Sequence, residues 1–226
     1  MQTVLAKAGL APALLGGLPG TTLPVCRAEA RTEPRRRYAA DEEIFAEGDR
    51  TAFFYTVVSG AVRTCKLLSD GRRQIDAFHL PGDIFGVEAG TEHRFNAEAV
   101  TETRLVIHRR EPRVLAGDDG ALARAVVAAL MRDLERAQDH MMLLGRKSAR
   151  ERIASFMLAL SERMAVQGGA IELPMSRTDM ADHLGLTVET VSRTVTQLER
   201  DGLIELPPNR RTVILRHPAA LRHLAG

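Results

Sequence analysis

Hydrophobic positions change period along the chain, and each change marks an element boundary. From Tyr38 to about Arg110 the apolar residues come in short runs broken by turn chemistry. Ile44-Phe45 leads to Glu47-Gly48-Asp49, Phe53 to Val58 leads to Ser59-Gly60, and Ala61 to Leu68 leads to Ser69-Asp70-Gly71. Ile75 to Leu80 leads to Pro81-Gly82-Asp83, and Val100 to His108 closes the set. β-Branched and aromatic runs with turn pairs roughly 8–12 residues apart predict a barrel or jelly roll. Ser-Asp-Gly reads as a hairpin turn because Asp and Gly accept positive φ.

The period then lengthens to that of a helix. After Gly117-Asp118-Asp119-Gly120, the residues Leu122, Val126, Leu130, Leu134, Ala137, Met141 and Leu144 follow in steps of three and four. Arg124, Arg132, Asp133, Glu135, Arg136 and Asp139 lie between them. Such a stripe either packs on its own domain or forms a dimer seam. Its place between two unlike regions favours the seam. A second helix follows, from about Ser148 to Met164, and then a loop at Gln167-Gly168-Gly169.

The last third carries the most specific pattern. Ser176 stands as a cap with Asp179 three residues on, complementing a helix N-terminus. That helix is expected to end near Leu184, with Gly185 at the sharp turn. Thr187 caps the next helix, from about Val188 to Arg200, and Asp201-Gly202 ends it. Two helices joined by a three- or four-residue glycine turn form a helix-turn-helix. Ala181 is small where the helices cross, and Leu184, Leu186 and Val191 point inward. Leu203 to Leu206, Pro207-Pro208-Asn209-Arg210-Arg211 and Thr212 to Leu215 read as a wing with a basic tip. On the second helix Glu189, Ser192 and Arg193 share one face near the N-terminal end, the end that enters the major groove in this motif. Arg forks onto guanine, Glu accepts from cytosine N4, Ser lets the backbone approach, and Val188 can touch a thymine methyl. Arg177, Thr178, Thr187, Thr190, Arg210 and Arg211 are expected to meet phosphate.

Composition narrows the choice. The chain has 226 residues, 31 basic against 29 acidic, with no apolar run long enough to span a membrane. Arg outnumbers Lys 28 to 3, which reads as biased base composition before phosphate recognition. Cys26 and Cys65 alone make neither a disulfide framework nor a thiolate zinc site. No His-x-His pair occurs, which argues against a cupin-type metalloenzyme. Residues 1–24 are Ala, Gly and Leu-rich but broken by Pro12 and Gly16-Gly17, with one early positive charge, Lys7, and a charged stretch follows. They read as an extension rather than a signal peptide, and the expected location is the cytoplasm. The segment Ser176 to Arg216 holds six Arg and six acids, so affinity for DNA has to come from placement.

These residues together resemble the CRP/FNR superfamily of bacterial transcription regulators across nearly the whole chain. The motif E-T-V-S-R, Glu189 to Arg193, and the segment GAVRTCKLLSDGRRQIDAFHLPGDIFGVE, Gly60 to Glu88, are similar to its FixK branch. The resemblance implies an α+β fold with four parts. They are the extension, a cyclic-nucleotide-binding-like β-roll over 29–116, a dimerisation helix over 117–146 and a winged helix-turn-helix over 147–226. It implies a homodimer that reads TTGAT-N4-ATCAA palindromes and contacts RNA polymerase. Its targets would be promoters for low-oxygen respiration, denitrification or nitrogen fixation. FNR proper needs four cysteines for an iron–sulfur cluster, and this chain has two. Cyclic-nucleotide binders carry an Arg-Ser pair, whereas Arg94 is followed by Phe95-Asn96. His79, His93 and His108 are haem ligands by residue type only. Cys65 is expected to be buried, and Cys26 to be the more oxidisable thiol. A regulator without cofactor is the favoured reading, and a relative gated by a small molecule or haem in the β-roll stays open.

Overall fold

The computed structural model describes residues 34–111, 120–164, 170–208 and 211–226. The extension, Cys26, the caps at Gly117 to Asp119, the Gln167 to Gly169 loop and Arg210 lie outside these residues.

Among the described residues eight strands form the first domain: β1 Arg35–Tyr38, β2 Glu43–Phe45, β3 Phe53–Ser59, β4 Val62–Leu67, β5 Arg73–His79, β6 Ile84–Phe85, β7 Asn96–Ala99 and β8 Thr103–Arg109. They make two four-stranded antiparallel sheets, β1-β8-β3-β6 and β2-β7-β4-β5. Tyr38, Phe45, Tyr55, Val57, Val62, Phe85, Ala97, Ala99 and Leu105 form a buried core in this domain. Phe45 stacks on His93 at 3.6 Å between centroids, on Tyr55 at 5.7 Å and on Phe85 at 6.2 Å. Gly60 joins β3 to β4 at φ +85, where a Cβ would stand 2.4 Å from the Glu102 carbonyl oxygen. Only glycine closes that turn.

The run from Val100 to His108 holds a turn and then a strand. Val100 to Glu102 is the turn between β7 and β8, because the Thr103 hydroxyl ties the chain back to the Ala61 carbonyl at 3.0 Å. β7 was unread because Asn96-Ala97-Glu98-Ala99 has none of the residues that mark strands by propensity.

Helix α1 runs Gly120–Arg146 and α2 runs Ala149–Arg163, the latter capped by a reciprocal Ser148–Glu151 box. The DNA-binding-type domain adds β9 Ala170–Glu172, α3 Arg177–Leu184, α4 Val188–Arg200, β10 Ile204–Glu205, β11 Thr212–Leu215 and α5 Pro218–Ala225. The sheet order is β10-β11-β9, so the wing hairpin gains a third strand that sequence reading did not anticipate. The largest core cluster joins Ile153, Met157, Met180, Leu184, Val191, Leu198 and Val213 to Ile75, Phe78 and Leu80 of the β-roll. The two domains therefore share apolar packing.

Candidate nucleic-acid interface

Local chemistry fixes the helix pair. The Ser176 hydroxyl oxygen accepts from the Asp179 N–H at 3.0 Å, and the Asp179 carboxylate accepts from the Ser176 N–H at 3.1 Å. Gly185 then takes φ 62 and ψ 42, the left-handed conformation that ends α3. Thr187 caps α4 by accepting from the Thr190 N–H at 3.2 Å. Inward at the crossing lie Ala181, Leu184, Val191, Val195 and Leu198, all buried.

Burying that stripe turns the opposite face of α4 outward. Val188, Glu189, Ser192 and Arg193 are all exposed, together with Thr196 one turn further on. Thr196 was missed, although its helical spacing from Ser192 and Arg193 was there to read. Its hydroxyl donates back to the Ser192 carbonyl at 3.0 Å. Around this face Thr178, Thr187 and Arg211 are exposed, and Arg177 and Thr190 are half-buried. Thr187 and Thr190 also share a hydroxyl–hydroxyl bond of 3.0 Å, so their first task is capping.

Four of the six acids in this segment are met by arginines. Asp179 and Asp182 are met by Arg73, Asp179 also by Arg63, Asp201 by Arg150 and Glu205 by Arg216. Arg193, Arg200 and Arg211 form no ion pair among the described residues. The apparent charge balance hides a set of paired acids and uncommitted cations.

Arg152 on α2 is a second residue that sequence reading missed. Its guanidinium donates to the carbonyls of Leu184 at 2.8 Å, Leu144 at 2.9 Å and Lys147 at 2.9 Å. These groups belong to the ends of α1 and α3, whose last carbonyls have no partner within the helix. One side chain thus ties the long helix to the turn of the helix-turn-helix.

The apolar stripe on α1 divides between two faces. Val126 is buried against Phe54 and Ile84, Leu122 packs on the same cluster, and Leu144 packs on the main core. These three face the chain itself. Val127, Leu130, Met131, Leu134, Met141 and Met142 are between 43% and 67% exposed. At 3.6 residues per turn the two sets lie on faces roughly 110° apart. Val127, Met131 and Met142 were left out of the sequence reading because a stripe read in steps of three and four does not say which of two apolar faces is covered.

The histidines considered as ligands are core residues. His79 bonds Thr64 through Nε2 at 3.2 Å and stacks on Phe85, His93 stacks on Phe45, and His108 bonds Thr56 at 2.8 Å and stacks on Phe54. Among the described residues no group of three or more His, Cys, Asp or Glu is placed to hold a metal. Burial pushes the Cys65 thiol up to about 11, so it is no ready nucleophile. Arg94 is exposed and lies over Phe95. A cavity of about 400 Å³ lies between β5, α1, α2 and α3, lined by Phe78, His79, Arg136, His140, Phe156 and His183 among others. No helix among the described residues is long and apolar enough to cross a membrane.

Fold and interface together define a regulator with a β-roll and a winged helix-turn-helix, and comparison with known proteins agrees. Residues 35–112 match the cyclic nucleotide-binding domain and residues 151–224 the Crp-like helix-turn-helix domain. The nitrogen fixation regulation protein FixK of Azorhizobium caulinodans is 52% identical over 83% of this chain and 77% of that protein. FixK of Rhizobium meliloti is 48% identical over 84% and 86%. The structure of FixK2 from Bradyrhizobium japonicum superposes with a TM-score of 0.79 at 47% identity, over 85% of this chain and 97% of that one. The chain belongs to the CRP/FNR family of transcription regulators, on its FixK-like branch. It is a regulator and not an enzyme.

Proposed function

We propose that the chain is a transcription activator that binds, as a homodimer and without an effector, palindromes of the form TTGAT-N4-ATCAA. The exposed face of α4 carries this reading: Val188, Glu189, Ser192 and Arg193 stand together at the N-terminal end of a helix whose other face is buried. Arg193 and Glu189 read the G·C pair, and Ser192 with Val188 reads neighbouring A·T pairs. Arg177, Thr178, Thr187, Thr190, Arg210 and Arg211 hold the phosphates. The exposed stripe on α1 pairs two copies, which sets the recognition helices about 34 Å apart, one turn of DNA. Division into an extension over 1–28, a β-roll over 29–116, a dimer helix over 117–146 and a DNA-binding domain over 147–226 goes with this reading. The FixK relatives are named for regulation of nitrogen fixation, which supports target genes of that kind. Control of low-oxygen respiration or denitrification genes, action in the cytoplasm and contact with RNA polymerase belong to the same proposal.

The effector-free part is supported by the stacked Phe45, Tyr55, Phe85 and His93 in the β-roll core. A second reading, gating by a small molecule, is favoured by the cavity beside α1, where His79 Nδ1 and His140 Nε2 have no hydrogen-bond partner among the described residues. Titration of the purified protein on the palindrome, with nothing added, separates the two. Tight binding supports the first reading. Binding that appears only with cell extract supports the second. No binding to the palindrome over random DNA under either condition removes the assigned site.

A further inference from the structure

The β-roll grips the first helix of the helix-turn-helix through charge. Arg63 on β4 is 7% exposed and bonds Glu98 on β7 at 2.8 Å, Asp41 at 3.0 Å and Asp179 on α3 at 3.3 Å. Arg73 on β5 bonds Asp179 at 2.5 Å and Asp182 at 2.8 Å. Asp179 is 4% exposed and is the same carboxylate that closes the capping box with Ser176. One side chain therefore starts α3 and takes bonds from two strands of the other domain. Beside it the His183 Nδ1–H donates to the Ile75 carbonyl at 3.1 Å, and the Gln74 amide donates to the His183 carbonyl at 3.3 Å.

A buried ion pair adds little net stability, because removing two charges from water offsets most of their attraction. What a guanidinium fork adds is direction: its donors are coplanar and fixed, so a carboxylate meets them at one angle. Apolar contact between α3 and β5 tolerates sliding, and two arginines sharing one carboxylate do not. α3 and α4 share a core at Ala181, Leu184 and Val191, so whatever orients α3 orients the reading face. The sign also matters. Asp179 and Asp182 follow Arg177 and Thr178, which are proposed to meet phosphate, and left unpaired they would repel it.

We infer that Arg63 and Arg73 are positioning residues for DNA reading, setting the orientation of the recognition helix through Asp179 and Asp182. This rests on the DNA-binding reading above and gives the β-roll a task that needs no ligand.

The test compares the full chain with Arg73→Glu, Asp182→Arg and the double variant that swaps the two charges. Each single variant should lower affinity for the palindrome about tenfold or more while remaining folded and dimeric. Small-angle scattering of the free protein should show a wider spread of domain orientations in each. The double variant should recover part of the affinity and move the scattering curve back toward wild type, because the swap restores the pair with position 182 and not the one with Asp179. A simple dependence on net charge predicts the opposite for Asp182→Arg, which would then bind more tightly than wild type. That result overturns the inference, and so does a double variant no better than the singles. Should Arg73→Glu fail to fold, Asp182→Asn carries the same contrast, since it raises net charge yet should weaken binding. If wild type itself does not bind the palindrome, the DNA reading fails, and the scattering comparison alone judges the positioning role.

Discussion

A single exposed arginine illustrates how much of the interface depends on placement. Arg193 has no ion-pair partner among the described residues, and the helix beneath it is fixed by Val191, Val195 and Leu198. A fork held on a rigid helix loses little freedom on meeting guanine O6 and N7. Arg193→Ala should therefore cost about 1–3 kcal/mol on the palindrome and relax preference at the guanine, measured on a set of single-base variants. Equal weakening on every sequence would make Arg193 a phosphate contact instead. The residues of this face were legible in the sequence, because caps, glycine and helical spacing are local signals. Arg63, Arg73 and Arg152 were not. Arg63 and Arg73 find their α3 partners 106 to 116 residues away, and Arg152 reaches the Leu184 carbonyl 32 residues on; no local pattern records such distances.

Elements tell a similar story one step up. α1 was legible as a helix, and its two apolar faces were not distinguishable, since periodicity counts hydrophobic positions without saying what covers them. Burial separates them and yields paired expectations. Leu130→Glu places a charge on the exposed face, and should give folded monomers by sedimentation, with weak DNA binding. Val126→Glu places it against Phe54 and Ile84, and should instead unfold the β-roll contact, with loss of helix signal and of a cooperative melt. Leu130→Glu that still sediments as a dimer would move the seam elsewhere. At the far end of α1 the bond set of Arg152 predicts that Arg152→Lys is not conservative. An ammonium cannot reach carbonyls on both α1 and α3 in one plane, so about 1–3 kcal/mol of stability should be lost, read by urea denaturation. A lysine variant as stable as wild type would mean that water serves those carbonyls equally well.

For the whole molecule, the join between the domains makes stability depend on pH. His79 is buried in the β-roll and His183 sits where α3 meets β5, stacked on His140 and edge-on to Phe78. Burial holds His79 down to about 4 and His183 down to about 3. In the unfolded chain each titrates near ~6.5. Below that value the unfolded state binds protons that the folded state refuses, so stability is complete above about pH 6.5 and falls as the pH drops toward the folded values. For His79 alone this amounts to about 2 kcal/mol between pH 6.5 and 5, and His183 acts in the same direction. Asp83 does not mask the effect. Burial would raise its pKa, but the Leu80 N–H and the Arg163 and Arg136 guanidinium groups pull it below the usual range, so its contribution is lost only in stronger acid. Urea melts at pH 7, 6 and 5 should show the fall, and His183→Phe should flatten it. Because His183 belongs to the surface between β-roll and helix-turn-helix, hydrogen exchange at pH 5 should rise there before it rises in the β3–β8 ladder. A melt unchanged from pH 7 to pH 5 would mean that water reaches both rings, and that the two domains are less tightly joined than their shared core implies.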